Sequence, residues 1–162
     1  MMEVMSARSR VAIDDRDDRF EQLFRDENRR MIRLAYTLIG NAAEAEEVVQ
    51  DGFLTVYRHF DEIRRPGAYL RTAVISNCRS LLRRRRVLVL DRQDRPNGLA
   101  PEACELWDVL DHLTEDERIA VTLRYFGRYR ASEIARLVDE PASTVRSRIQ
   151  SGLAKLKKEL EP

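Results

Sequence analysis

Apolar residues in this chain recur at intervals of three and four and nowhere alternate at two, so it can build helices and not strands. The period begins at Phe20 and continues through Leu23, Phe24, Met31, Leu34, Ala35, Leu38 and Ile39. Gly40-Asn41 then stops the helix and allows a tight reversal. A second helix is expected from about 42 to 63, with Ala45, Val48, Val49, Phe53, Val56, Tyr57 and Phe60 on one stripe. Pro66 opens a third, at a position where its missing N–H is tolerated. That helix carries Leu70, Ala73, Val74, Cys78 and Leu81 inward and ends in Arg83-Arg84-Arg85-Arg86. Three such amphipathic helices can bury one small core.

The pattern breaks at 88–101, where Asp91, Asp94, Pro96, Asn97, Gly98 and Pro101 punctuate a polar run. It resumes over 103–113 and 115–126, with Thr114 as N-cap and Glu117 at the capping-box position, and Gly127 closes the helix. Two shorter helices follow, near 131–138 and 143–159, separated by Asp139-Glu140-Pro141-Ala142. The expected fold is all-α: a helical bundle over 20–87, a flexible linker over 88–104, and a helix-turn-helix domain over 105–160. Residues 1–19, with Asp14, Asp15, Asp17 and Asp18 and little that could pack, read as a disordered lead-in.

Several function classes drop out on composition. Within 162 residues no stretch is long and apolar enough for a membrane span, and the first ten lack the apolar core of a signal peptide. A cytoplasmic protein with no membrane contact of its own is expected. Two cysteines, Cys78 and Cys104, cannot make a disulfide framework or a four-ligand zinc site, so no metal or cofactor is expected. Neither GxxxxGK[ST] nor GxGxxG occurs, which argues against a nucleotide-driven enzyme. The charges nearly cancel, 29 basic against 28 acidic, but they are segregated. Residues 1–90 carry 17 basic and 14 acidic groups, 91–117 carry two and nine, and 118–162 carry ten and five. Two basic ends around an acidic middle look like two anion-binding modules and a joint.

The sharpest motif spans 131–153. Ile134, Ala135, Leu137 and Val138 form one apolar helix, and Val145, Ile149 and Leu153 the inner face of a second, at helix-turn-helix spacing. Ser143 is the expected N-cap of the second helix. Thr144, Arg146, Ser147, Arg148 and Gln150 are left outward at its N-terminal end, where Arg and Gln can read base edges in a major groove. Lys155, Lys157 and Lys158 suit phosphate contacts or a solvated face. A second group joins Arg64, Arg65, Tyr69 and Arg71 to Arg79, Arg83, Arg84, Arg85 and Arg86, an aromatic among arginines of the kind single-stranded bases stack on. A third, Glu44, Glu46, Glu47, Gln50 and Asp51, lacks a neighbouring group that would raise a carboxylate's pKa, so it suits a protein-binding face better than acid–base chemistry. Trp107, His59 and His112 read as packing or surface residues.

In this order the three groups resemble the extracytoplasmic-function (ECF) subgroup of bacterial RNA polymerase sigma factors. Glu44-Ala45-Glu46-Glu47-Val48-Val49-Gln50-Asp51-Gly52-Phe53 is similar to the family's polymerase-binding motif. The resemblance implies polymerase contacts from Glu46, Glu47, Gln50, Asp51 and Phe53. Residues 68–79, Ala-Tyr-Leu-Arg-Thr-Ala-Val-Ile-Ser-Asn-Cys-Arg, resemble the helix that holds the minus-ten element. They imply DNA contacts from Arg64, Arg65, Tyr69, Arg71, Asn77, Arg79, Arg83 and Arg84. Leu113 to Arg118 and Leu123 to Phe126 resemble the opening of the family's second domain, and Ser143 to Ile149 its minus-thirty-five recognition helix. That assigns Ser143, Thr144, Arg146, Ser147, Arg148, Gln150 and Lys155 to upstream DNA. Asp139 stands where the family commonly has Gly, and Gly152 where many members have Arg or Ala.

The resemblance implies a non-enzymatic factor that binds core RNA polymerase and promoter DNA, is held by an anti-sigma factor, and is a monomer when free. Two rivals remain open: a helix-turn-helix repressor or activator, which would need a dimer interface, and a site-specific recombinase, which would need an activated nucleophile in the first lobe.

Overall fold

The computed structural model describes residues 2–88 and 107–161. Six helices run through them: α1 (Met2–Ile39), α2 (Ala42–Arg58), α3 (Pro66–Leu88), α4 (Glu115–Tyr125), α5 (Ala131–Val138) and α6 (Ala142–Leu160), with a helical turn at 107–110 ahead of α4. No strand occurs among the described residues. The linker expected over 88–104 lies, beyond residue 88, outside them, as do Cys104 and the side chain of Arg86.

Helices α1 to α3 form the first lobe. Met31, Leu34, Leu38 and Ile39 of α1, Val49, Phe53 and Val56 of α2, and Leu70, Val74, Ile75 and Leu82 of α3 are buried together. The reversal between α1 and α2 uses Gly40 at φ +76, a conformation costly to any residue with a Cβ. Asn41 then caps α2, its Oδ1 accepting from the Glu44 N–H at 3.0 Å. Helix α2 stops at Arg58 rather than near 63, and a turn carries the chain to Pro66.

The disordered lead-in expected over 1–19 is corrected: α1 is helical from Met2. The acidic run alternates with Arg16 and Arg19, and those arginines tie the helix to the bundle. Arg16 donates to the Tyr57 carbonyl, pairs with Asp61 at 3.2 Å and lies 4.5 Å from the Tyr57 ring centroid. The Tyr57 hydroxyl donates to Asp17, and Phe20 meets Phe53, Tyr57 and Phe60 edge-on. Charge that looked like a disorder signal is cross-linking.

Helices α4 to α6 form the second lobe around Ile119, Leu123, Ile134, Val138, Val145 and Ile149. The capping box at Thr114 is present: its Oγ1 accepts from the Glu117 N–H, and Glu117 Oε2 accepts from the Thr114 N–H at 2.9 Å. Leu153, expected inward, is exposed; Gly152 holds the buried position. A Cβ at Gly152 would sit 2.8 Å from Val121 Cγ2, so its absence lets α6 close onto α4. The cost in helix propensity is about 1 kcal/mol.

The lobes also touch. Trp107 lies against Gly40, with its ring 6.1 Å from that of Tyr36 and the Arg118 guanidinium 4.6 Å above it. Helices α3 and α5 meet through Arg79. Among the described residues no helix is long and apolar enough to cross a membrane.

Candidate nucleic-acid interface

The acidic stripe follows directly from the helical period of α2. With Ala45, Val48, Val49 and Phe53 turned inward, Glu46, Glu47, Gln50 and Asp51 are exposed, and none of the three acids has an ion-pair partner among the described residues. Phe53 departs from its expected contact role: it is buried and packs against Phe20 and Phe24. Glu44 is also taken out of the stripe, held by Arg85, which in addition donates to the Ile39 carbonyl at 2.9 Å. One member of the arginine run therefore caps the end of α1 instead of facing solvent.

The residues expected at single-stranded DNA divide into three places. Arg64, Arg65 and Tyr69 line an open cleft of about 870 Å³ with Glu62, Ile63 and Thr72, and the Tyr69 ring is 43% exposed. An exposed ring edged by two guanidiniums that have no ion-pair partner among the described residues can stack an unpaired base and hold its phosphate. Thr72, which the sequence did not single out, lines the same cleft one turn from Tyr69. Arg71 points elsewhere: its Nε donates to Gly67 O at 3.1 Å, and it joins Arg25, Arg29, Arg30 and Arg33 around a second cleft of about 460 Å³ beside Tyr129. Burial raises the Tyr129 phenol pKa, opposed by Arg71 and Arg30.

Asn77 and Arg79 are not on that face. Asn77 donates to the Val48 carbonyl at 3.2 Å, tying α3 to α2. Arg79 donates to the carbonyls of Leu137 and Val138, each at 2.8 Å. Arg83 and Arg84 remain exposed at the end of α3. Cys78 is fully buried, and that burial pushes its thiol up to about 12, which rules it out as a thiolate at neutral pH.

In the second lobe, the turn between α5 and α6 is made by Asp139 in the left-handed region (φ 54, ψ 50), with the Glu140 N–H donating to Ala135 O at 3.0 Å. Asp tolerates this conformation better than most residues. Ser143 is not the cap expected of it. Pro141 occupies that position and leads straight into α6, which places Ser143 in the first turn and exposed. Arg146, Ser147 and Gln150 project outward along the N-terminal half of α6, with Thr144 half-buried. Arg148 is drawn toward the protein by Asp116 at 3.4 Å and Glu140 at 3.3 Å.

Lys155, exposed on α6, is also engaged within the lobe. Its Nζ lies 2.7 Å from Glu117 Oε2, inside a network completed by Ser151 and Thr114. Burial alone would raise the Glu117 carboxyl; the hydrogen bonds from Lys155, Ser151 and Thr114 overcome it and hold the pKa down at about 2. Lys155 thereby ties α6 to α4.

Comparison with known proteins adds the following. The family model for Sigma-70 region 2 matches residues 23–87, and that for Sigma-70, region 4, matches residues 105–156; together they cover well over half of the chain. The chain is 27% identical over 152 residues to the RNA polymerase sigma-E factor of Streptomyces avermitilis, covering 88% of this chain and 85% of that protein. It is 23% identical over 155 residues to the ECF RNA polymerase sigma factor SigW of Bacillus subtilis, covering 81% and 83%. Among solved structures, the fold is similar to that of the sigma factor RpoE from Bartonella quintana, in complex with the anti-sigma factor NepR, with TM-score 0.72, 19% identity and 88% and 98% of the chains covered. It is also similar to CnrH in complex with the cytosolic domain of CnrY, with TM-score 0.62, 23% identity and coverage of 87% and 86%.

Proposed function

The chain belongs to the sigma-70 family of RNA polymerase sigma factors, in its extracytoplasmic-function subgroup, and from that premise we propose how its surfaces divide the work of promoter recognition. As a sigma factor it binds core RNA polymerase, recognises promoter elements and directs the initiation of transcription. The family consists of non-catalytic initiation factors, and covalent chemistry belongs to the polymerase. The acidic stripe Glu46, Glu47, Gln50 and Asp51 docks on the polymerase, with Phe53 holding the helix in register behind it. The cleft of Arg64, Arg65, Tyr69 and Thr72 takes a base of the separated strand at the minus-ten element, and Arg83 and Arg84 follow its phosphates. Arg146, Ser147 and Gln150, with Thr144, read the upstream duplex.

The observation that carries this reading is the cleft at Tyr69, where an exposed ring and the guanidiniums of Arg64 and Arg65 converge at the start of α3. It is suited to an unstacked base. The factor works in the cytoplasm as a monomer until it meets the polymerase. A protein partner of the kind that accompanies the two structural relatives holds it in reserve.

The test compares three variants. Tyr69→Ala should weaken binding of a single-stranded minus-ten oligonucleotide by about 1–3 kcal/mol and leave upstream duplex binding unchanged. Arg146→Ala should show the reverse, losing about 1–3 kcal/mol on the cognate duplex if it is bidentate to guanine. Reversing the charge of Glu47 and Asp51 together should abolish co-elution with core polymerase while helicity is retained. Unchanged single-strand binding by Tyr69→Ala would overturn the cleft assignment.

A further inference from the structure

Arg79 is positioned against the second lobe in a way its neighbours Arg83 and Arg84 are not. Its two terminal nitrogens donate, at 2.8 Å each, to Leu137 O and Val138 O, the last carbonyls of α5. Those carbonyls have no partner within their own helix and lie at the negative end of its dipole. Two acceptor oxygens held side by side for one guanidinium reproduce the bidentate arrangement a phosphate offers.

Three carboxylates complete the surroundings. Burial is the main force lowering the Arg79 pKa and Arg83 adds to it, while Asp116, Asp139 and Glu140 act in the opposite direction. Two of these acids also hold Arg148, which lies 3.4 Å from Asp116 and 3.3 Å from Glu140. Arg79, Arg148, Asp116, Glu140 and Val138 line one small cavity between the lobes. An arginine from each DNA-reading helix, α3 and α6, thus converges on the same acids.

We propose that the end of α5, with Asp116, Asp139 and Glu140, is an intramolecular arginine seat that stands in for DNA phosphate and holds the free protein closed. With both terminal nitrogens of Arg79 engaged, that side chain cannot reach a promoter phosphate, and opening the lobes releases it. Promoter DNA offers the same acceptor chemistry, so it competes with the seat directly. The outward residues Arg146, Ser147 and Gln150 stay exposed in the closed form. Closure therefore withholds Arg79, while Arg148 is held by acids of its own lobe and the rest of the upstream-reading face stays available. The inhibitory consequence rests on the reading that Arg79 contacts DNA in the open complex, whereas the seat itself rests on geometry alone.

The test uses the full chain with probes at Ser80 and Ser132, both exposed and each changed to Cys, with Cys104→Ser to keep labelling at those sites. Asp139→Asn with Glu140→Gln removes two seat charges, and Asn tolerates the left-handed turn as Asp does. The control, Asp108→Asn with Glu159→Gln, makes the same charge change away from the seat. The unmodified seat should give one short interprobe distance. The seat variant should shift it to longer, broader separations and bind a single-stranded promoter oligonucleotide at least about fivefold more tightly, with the control unchanged in both. A long distance in the protein with its seat intact, or no shift in the seat variant, would overturn the proposal. An equal affinity gain in the control would reduce the effect to net charge and overturn it too. A longer distance without any gain in affinity would keep the seat and remove Arg79 from the DNA contacts.

Discussion

Among the described residues the first lobe buries apolar side chains almost throughout, with Thr37 the polar exception, whereas the second buries Glu117, Arg118 and Thr122 beside its leucines and isoleucines. The contrast follows from helix length. Helices α1 to α3 are 38, 17 and 23 residues long and offer long apolar stripes to one another. Helices α4 and α5 have 11 and 8 residues, too few for a broad stripe, and the lobe gains definition from polar contacts instead. Glu117 alone accepts from Thr114, Ser151 and Lys155 and so ties α4 to α6. Buried networks of this kind fix geometry when every member is satisfied and fail as a unit when one is removed.

That contrast can be broken by substitution. The largest effect is expected from Leu70→Ala, which empties a fully buried position and should cost the first lobe about 2–5 kcal/mol in thermal or urea unfolding. Glu117→Ala should cost the second lobe about 2–3 kcal/mol, because it removes a cap and leaves Ser151 and Lys155 without their acceptor. Gly152→Ala follows at about 1–2 kcal/mol net. The overpacking against Val121 exceeds the roughly 1 kcal/mol gained in helix propensity. A stabilised Gly152→Ala protein would mean the approach of α6 to α4 is looser than the 2.8 Å contact implies.

Acid should sharpen the comparison further. The Glu117 carboxyl is depressed to about 2 from an ordinary 4.5, so the folded state binds its proton less readily than the unfolded chain. Its contribution is complete above about pH 4.5 and is lost as the pH falls toward 2. The second lobe should therefore unfold before the first in an acid titration followed by residue-resolved amide signals. Glu117→Gln should remove that difference. The smallest effect concerns Cys78, whose buried thiol should react with iodoacetamide only on unfolding, so its labelling rate should track first-lobe opening.

The same contrast governs what the sequence made legible. The stripes of α2 and α3, the Gly40 reversal and the Thr114 capping box depend on local spacing, and spacing is visible in the chain. The outward acids of α2 and residues Arg146, Ser147 and Gln150 follow from those stripes by elimination. What was hidden depends on partners distant in sequence. Lys155 and Glu117 meet 38 residues apart, and Arg79 meets Leu137 across 58. No period or motif announces either pair. Motif resemblance implied a DNA contact for Asn77 and a polymerase contact for Phe53, whereas the structure uses Asn77 to tie α3 to α2 and keeps Phe53 in the core, where its apolar stripe had placed it. The acidic N-terminal run was misread because composition alone hides the contacts of Arg16 and Arg19 to Tyr57, Phe60 and Asp61 at the end of α2 and in the turn after it.

The central claim is that this protein gives core RNA polymerase its promoter. The direct measurement is in vitro transcription with purified core enzyme on a pool of promoter fragments, read by sequencing the transcript starts. Addition of the protein should produce starts at a fixed spacing downstream of one shared pair of elements. Tyr69→Ala should suppress those starts without preventing co-elution with the core enzyme. Starts that are absent, or no different from those of core enzyme alone, while the folded protein co-elutes, would contradict the account.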